Sequence, residues 1–248
     1  MPDWLLPVLA SPFIGSFLGV LIERLPEGDD LAASRSHCNS CHRNLGPADL
    51  IPVLSYVAAR GRCRHCGAPI GRFHLLIELA ALLVAVWAAT IDGGLRLWAD
   101  CVLGWTLLAL AWIDARHMIL PDVLTLPLVL AGLMFAWFLE PEAIVDHATG
   151  AAVGWLLFWG VSRLYRWLRR RDGLGEGDAK LLAASGAWVT WAGLGPVLLV
   201  GAVTGLAYAL LIRLRGGDLS GATAIPFGLP LALATWLVWL YAPVLLGK

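Results

Sequence analysis

Eight apolar runs dominate the sequence, and each is long enough to cross a bilayer as a helix, the sixth being the shortest. The runs cover residues 4–22, 74–91, 95–113, 119–139, 143–162, 179–194, 196–212 and 225–246. Charged residues make up only 15% of the chain, against about 25% in soluble domains. The sequence therefore predicts an all-α polytopic membrane protein with about eight transmembrane helices.

The basic residues support this layout and predict its orientation. Four alternating segments, 23–73, 114–118, 163–180 and 213–224, hold 16 of the 18 Lys and Arg residues. Because Lys and Arg accumulate in cytoplasmic loops, these segments are predicted to face the cytoplasm, with both termini on the other side. The net charge is zero, so no overall field favours a nucleic-acid partner.

One long polar segment, residues 23–73, carries two CxxC pairs. Cys38, Cys41, Cys63 and Cys66 form the pattern C-x2-C-x21-C-x2-C. Two such turns can place four thiolates around one metal ion, and four cysteines make the closed tetrahedral site of a structural zinc. Disulfides are the alternative, which the reducing cytoplasm disfavours. The segment is predicted to be a cytoplasmic zinc-binding loop.

Several other residues near these motifs receive structural interpretations. Four histidines are rival metal ligands, but four cysteines already satisfy zinc, so the histidines are interpreted as surface residues. These histidines are His37, His42, His65 and His74. Cys101 lies inside an apolar run and is interpreted as a packing residue. In the first run, Ser11, Gly15 and Gly19 recur every four residues and predict close helix packing.

Two aspartates are predicted at the cytoplasmic ends of two spans. Asp114 ends the third span, and Asp178 opens the sixth behind the glycines of GLGEGD. Two facing carboxylates that share a proton can activate water for amide hydrolysis, one as base and the other polarising the carbonyl. A helix N-cap is the structural alternative for Asp178. For Asp122, which follows Pro121, the alternative is first-turn stabilisation of the helix dipole.

Further motifs are spread over the whole chain. They are GSFLGVLIERLP at 15–26, IPVLSYVAARGRCRHC at 51–66, IDARHMILPD at 113–122, GEGDAKLLAASGAW at 175–188 and IPFGLPLALA at 225–234. With these motifs the chain resembles the type IV prepilin peptidases, which are bifunctional leader peptidases and N-methyltransferases. The GxGD element alone also resembles presenilin-like and preflagellin peptidases, and the cysteine loop favours the bifunctional bacterial type.

The resemblance implies a location, an activity and a division of the chain. Asp114 and Asp178 would be the catalytic pair of a bacterial inner-membrane enzyme whose active site faces the cytoplasm. It would cleave the short basic leader of prepilins or pseudopilins and methylate the new N-terminal amine, using S-adenosylmethionine. Residues 1–22 would be the first helix, residues 23–73 the zinc loop associated with methylation, and residues 74–248 the transmembrane aspartic peptidase domain.

One departure from the family pattern concerns the second activity. The first motif usually has Asn where this chain has Gly19, in a region that the resemblance links to methylation. No glycine-rich Rossmann fingerprint marks a methyl-donor site. A leader peptidase without methyltransferase activity is therefore one alternative. A proton-coupled transporter is another, although a proton path would place acids through the depth of the membrane rather than at one face.

Overall fold

The computed structural model describes residues 2–28, 36–38, 40–170, 175–215 and 226–245. Some residues of the Lys and Arg count lie outside these ranges, namely Arg35, Arg171 and Lys248. So do Gly173 and Leu174 of GLGEGD and both ends of the run 225–246. The described residues are mainly helical and contain no named β-strand, only two isolated bridges in the cysteine loop. The predicted all-α class is confirmed.

The described helices follow the apolar runs closely. They are α1 (Leu5–Arg24), α2 (Leu54–Ala58), α3 (Phe73–Ala89), α4 (Gly94–His117), α5 (Asp122–Leu139), α6 (Ile144–Arg169), α7 (Glu176–Leu214) and α8 (Gly228–Leu245). Five segments of the described chain are long and apolar enough to cross a membrane, namely α1, α4, α5, α7 and Pro141–Leu168, which includes α6. Two further apolar helices are shorter, α3 and Gly228–Tyr241 of α8. Helices long and apolar enough to span a membrane are thus found as predicted, whereas eight separate spans are not.

Part of the difference is that α3 and the apolar part of α8 are short, and part lies in α7, which joins the predicted runs 179–194 and 196–212. Its backbone is non-helical at Thr190, with φ 64° and ψ 175°, a region that L-residues rarely adopt. Three residues earlier, the carbonyl of Ala187 accepts a hydrogen bond of 2.8 Å from Nδ1 of the buried His147 in α6. A side chain from the neighbouring helix therefore binds a backbone group next to the break.

Contacts with α8 show that α7 folds back at this break. Near its C-terminal end, a β-carbon added to Gly205 would lie 3.6 Å from Pro230 in the first turn of α8. In its first arm, the hydroxyl group of Ser185 lies 2.6 Å from that of Thr235, five residues further along α8. A straight helix would separate residues 185 and 205 by about 30 Å. Both arms of α7 therefore lie beside the first part of α8.

The chain divides into two compact units, residues 1–109 and 110–248. In the first unit, α1 packs on α3 through small residues, as predicted, because a β-carbon on Gly15 would lie 2.6 Å from the Cα of Glu78. Cys101 is fully buried, also as predicted.

In the second unit, α7 packs against α5, α6 and α8. Gly150 of α6 and Gly186 of α7 meet backbone to backbone, and a β-carbon on either residue would clash with the other helix. The hydroxyl groups of Ser185 in α7 and Thr235 in α8 form a buried hydrogen bond of 2.6 Å. These contacts fix the first arm of α7, which carries Asp178.

Candidate active site and metal centre

Asp114 lies in the last turn of α4 and is only 4% exposed. The helix ends at His117. The next residue, Met118, has a left-handed backbone (φ 54°), and its N–H donates to the carbonyl of Asp114 over 2.9 Å. The Oδ2 atom of Asp114 accepts the N–H of Leu229 at 3.0 Å and also interacts with the N–H of Gly228. Both are first-turn amides of α8, whose positive end faces the carboxylate. The backbone therefore holds this buried acid in place.

Gly228 allows this contact because it lacks a side chain. A β-carbon there would lie 2.7 Å from Oδ2 and 2.8 Å from Cγ of Asp114. The residue belongs to the IPFGLPLALA motif, in which sequence reasoning assigned no role to any position. The sequence did contain a signal for a helix start here. Pro230 lies near the beginning of an apolar run, and proline is favoured in the first turn of a helix, where its missing N–H has no partner to lose. Gly228 precedes it by two residues.

Asp178 is the third residue of α7, and the N-cap is Gly175. The N–H of Asp178 donates to the carbonyl of Gly175 over 3.2 Å, and the N–H of Gly175 donates to the carboxylate in return. This is one half of a capping box. The interpretation of Asp178 as the N-cap itself is therefore wrong by three residues, although its carboxylate does bind the start of the helix.

The structure places both predicted catalytic aspartates in the second unit. Asp178 is half-buried, and its charge interacts with that of Asp114. Each carboxylate binds the positive end of a helix, α8 for Asp114 and α7 for Asp178. Two carboxylates whose charges interact titrate as a pair, so one can be ionised while the other is protonated. Such a pair can supply one base and one acid.

Asp122 is the first residue of α5, as the first-turn interpretation predicts. It also forms an ion pair, in which Nζ of Lys180 donates to Oδ1 over 2.6 Å. The motif that contains Asp114 is thus joined directly to the motif that contains Asp178.

In the N-terminal unit, the four predicted cysteines form one cluster. Their sulfur atoms all lie within 4.8 Å of one another, with 3.9 Å between Cys38 and Cys66. Tetrahedral zinc with bonds of about 2.3 Å needs sulfur atoms about 3.8 Å apart, so the cluster fits this ion. Backbone N–H groups of Cys41 and Ser40 lower the pKa of the Cys38 thiol to about 6. The N–H of Ala68 lowers the pKa of Cys66, but burial and the neighbouring cysteines outweigh it and raise this pKa to about 11. Cys38 therefore forms the metal-binding thiolate more readily than Cys66. None of the cysteines is in a disulfide.

Each CxxC pair lies in the same kind of turn. The carbonyl of Cys38 accepts the N–H of His42 at 2.8 Å, and the carbonyl of Cys63 accepts the N–H of Gly67 at 2.9 Å. Both donors have left-handed backbones, with φ 54° and 71°. His42 is therefore equivalent in the first turn to Gly67 in the second. This histidine closes the turn through its backbone, and its side chain is not needed as a metal ligand.

Two parts of the chain match known family models. Residues 9–91 match the Bacterial Peptidase A24 N-terminal domain, and residues 101–210 match the Type IV leader peptidase family. A prepilin leader peptidase/N-methyltransferase of Aeromonas hydrophila is 39% identical, over 94% of this chain and 89% of the relative. The chain belongs to the type IV leader peptidase family. Relatives of the same name from Dichelobacter nodosus and Pseudomonas aeruginosa are 36% and 34% identical, each over 94% of this chain and 90% and 89% of their own lengths. No solved structure gives a significant match.

The cysteine cluster and the aspartate pair lie in different family matches of this leader peptidase. The cysteine cluster lies within 9–91, whereas Asp114 and Asp178 lie within 101–210. Gly228 lies beyond both ranges, so the structure alone connects it with the aspartates.

The departure from the family pattern at Gly19 also has a structural counterpart. A β-carbon on Gly19 would lie 2.6 Å from Nδ1 of His74 in α3, so the imidazole fills the space of a side chain. The Nε2 atom of His74 lies 3.4 Å from Oε2 of Glu23. His74 is therefore engaged in the α1–α3 contact and is not part of the cysteine cluster.

We expect one zinc ion per chain in purified protein, measured by elemental analysis. Cys63→Ser should reduce the zinc content to background and unfold the loop, because a structural zinc organises its own surroundings. Cys101→Ser is the matched control, since this buried cysteine lies in α4 outside the cluster, and it should keep the full zinc content. Metal-free protein with four reactive thiols would contradict the prediction.

Proposed function

We propose that this chain cleaves the leader peptide of prepilins or pseudopilins and then N-methylates the new N-terminal residue. Membership of the type IV leader peptidase family and the names of its relatives support both activities. The observation that supports the peptidase is the interaction between the charges of Asp114 and Asp178, with Asp114 held by the first turn of α8. We take these two aspartates as the catalytic residues.

The proposed cleavage uses the two carboxyl groups in complementary states. The ionised carboxylate removes a proton from water, and the resulting hydroxide adds to the scissile carbonyl carbon. The protonated carboxyl donates a hydrogen bond to the carbonyl oxygen and stabilises the charge that develops there. Collapse of the tetrahedral intermediate breaks the C–N bond, and the proton that the base took from water passes to the leaving amine.

Methylation follows cleavage, because only cleavage exposes the amine that accepts the methyl group. S-adenosylmethionine is the proposed donor, as a second substrate. We assign this activity to the first helix, residues 1–22, and the loop of residues 23–73, with the peptidase in residues 74–248. The four cysteines would hold a closed structural zinc, whose full thiolate set supports the loop rather than the reaction.

The proposed enzyme spans the bacterial inner membrane and acts at its cytoplasmic face. The concentration of Lys and Arg on one side of the predicted spans supports this orientation. The reversal of α7 at Thr190 supports eight crossings of the membrane, because each of its two arms would form a separate crossing. The substrate leader would then reach the aspartates from the cytoplasm.

The test is incubation of the purified protein with a prepilin, with and without S-adenosylmethionine, followed by intact mass measurement. We expect the leader to be lost in both samples, and the mature chain to gain about 14 Da, one methyl group, only with the donor. A relative from Aeromonas hydrophila serves as the positive control. Cleaved but unmethylated product would leave a leader peptidase alone, and uncleaved prepilin would contradict the proposed function.

A further inference from the structure

The linker between α4 and α5 contacts the first turn of α7 on both sides of Asp178. Leu120 is buried against Gly177, where an added β-carbon would lie 2.9 Å from the Cβ of Leu120. Directly after the linker, Asp122 accepts the 2.6 Å hydrogen bond from Lys180. The residue before Asp178 and the residue two positions after it are therefore held by the same short stretch of chain.

Helix geometry separates these contacts from the catalytic face. Residues 177 and 180 are three positions apart and lie on one face of α7, whereas Asp178 is rotated by about 100° from residue 177. The same linker follows Asp114 directly, because Met118 closes the last turn of α4 on the carbonyl of Asp114. The linker thus connects the backbone of one aspartate to the backbone of the other.

From these contacts we propose that the Asp122–Lys180 ion pair and the Leu120–Gly177 contact form a clamp that fixes the separation of the two carboxylates. Asp122 and Lys180 are then positioning residues for leader cleavage, so the proposal rests on the proposed function. The clamp also explains the glycine at position 177, because the close approach of Leu120 leaves no room for a side chain.

The clamp acts on catalysis more than on folding. The side chains of Asp122 and Lys180 are 55% and 29% exposed, and ion pairs this exposed contribute little to stability. Without the pair, the first turn of α7 loses one of the contacts that hold it to the linker, so it can shift slightly relative to α4. A displacement of about 1 Å between reacting groups can slow a reaction by about 10²-fold. The effect should therefore appear in kcat, with KM nearly unchanged.

The experiment compares kcat and KM for prepilin cleavage by the full-length protein and four variants. The variants are Asp122→Asn, Lys180→Gln, the two combined, and the exchanged pair Asp122→Lys with Lys180→Asp. We expect each single variant to lower kcat by about tenfold. The combined variant should be no slower than either one, because both changes remove the same interaction. The exchanged pair, in which the summed side-chain length is unchanged, should recover most of the loss.

Asp92→Asn is the matched control for these variants. It removes a carboxylate from another partly exposed ion pair, with 3.4 Å between Asp92 and Arg96 in the N-terminal unit. This variant should cleave at the rate of the unmodified protein.

Hydrogen–deuterium exchange gives a readout that does not depend on cleavage. Backbone amides of residues 178–184 should exchange faster in both single variants and return towards the original rate in the exchanged pair. Single variants that cleave and exchange like the unmodified protein overturn the clamp and leave the proposed function intact. An additive loss in the combined variant, or no recovery in the exchanged pair, overturns it as well. Failure of the unmodified protein to cleave, beside a working relative, overturns the proposed function and the clamp's role in it.

Discussion

Replacement of either Asp114 or Asp178 by asparagine is expected to abolish leader cleavage. A base or acid in the transition state contributes about 10²- to 10⁴-fold to a rate, and an amide can neither accept nor supply the shared proton. Asparagine keeps the size of aspartate, and its Oδ1 can still accept the N–H of Leu229 that Asp114 binds at 3.0 Å. The variants should therefore stay folded and inserted in the membrane.

The measurement is prepilin cleavage in membranes that contain equal amounts of each protein. Asp92→Asn again serves as the control, because it removes one carboxylate far along the sequence from both motifs. Cleavage near the original rate by either Asp114→Asn or Asp178→Asn would remove that residue from the catalytic pair.

Gly228→Ala is expected to have the second largest effect, with a loss of about 10- to 100-fold in kcat. The new β-carbon would lie 2.7 Å from Oδ2 of Asp114, whereas an ordinary contact begins at 3.4 Å. The carboxylate must therefore retreat by about 0.7 Å, which weakens its hydrogen bonds to the first turn of α8. Alanine favours helix formation over glycine by about 1 kcal/mol, so a loss of α8 itself would not explain the defect.

Gly160→Ala is the matched control, because nothing lies within 4 Å of a β-carbon at this position in α6. It should cleave normally. Thermal unfolding of both variants separates a displaced carboxylate from a misfolded protein: Gly228→Ala should unfold near the temperature of the unmodified chain. Normal cleavage by Gly228→Ala would show that the position of Asp114 does not depend on this glycine.

The parts of the structure that were predictable depend on local spacing. The two CxxC pairs each form a single turn, so the cysteine pattern contained most of the geometry of the cluster. The apolar runs similarly predicted where most of the long helices lie, because a span needs a minimum length of apolar residues. The aspartates were found because each lies in a recognisable motif at a helix end.

The parts that were missed depend on residues far apart in the sequence. The amide of Leu229 binds Asp114 across 115 positions, and Lys180 binds Asp122 across 58. No local pattern predicts such pairs. The reversal of α7 at Thr190 was also misplaced, because neither glycine nor proline marks this residue and the nearest strong signal, Pro196, lies further along the helix.

The break at Thr190 leaves the first arm of α7 short, with fourteen helical residues at 176–189. Such an arm is about 21 Å long, whereas the hydrocarbon layer of a typical bilayer is about 30 Å thick. Lipids adapt to a short segment by thinning locally, at a modest cost for each ångström of mismatch. Asp178 is the third residue of this arm, so the proposed peptide hydrolysis would take place at the surface of a locally thinned bilayer.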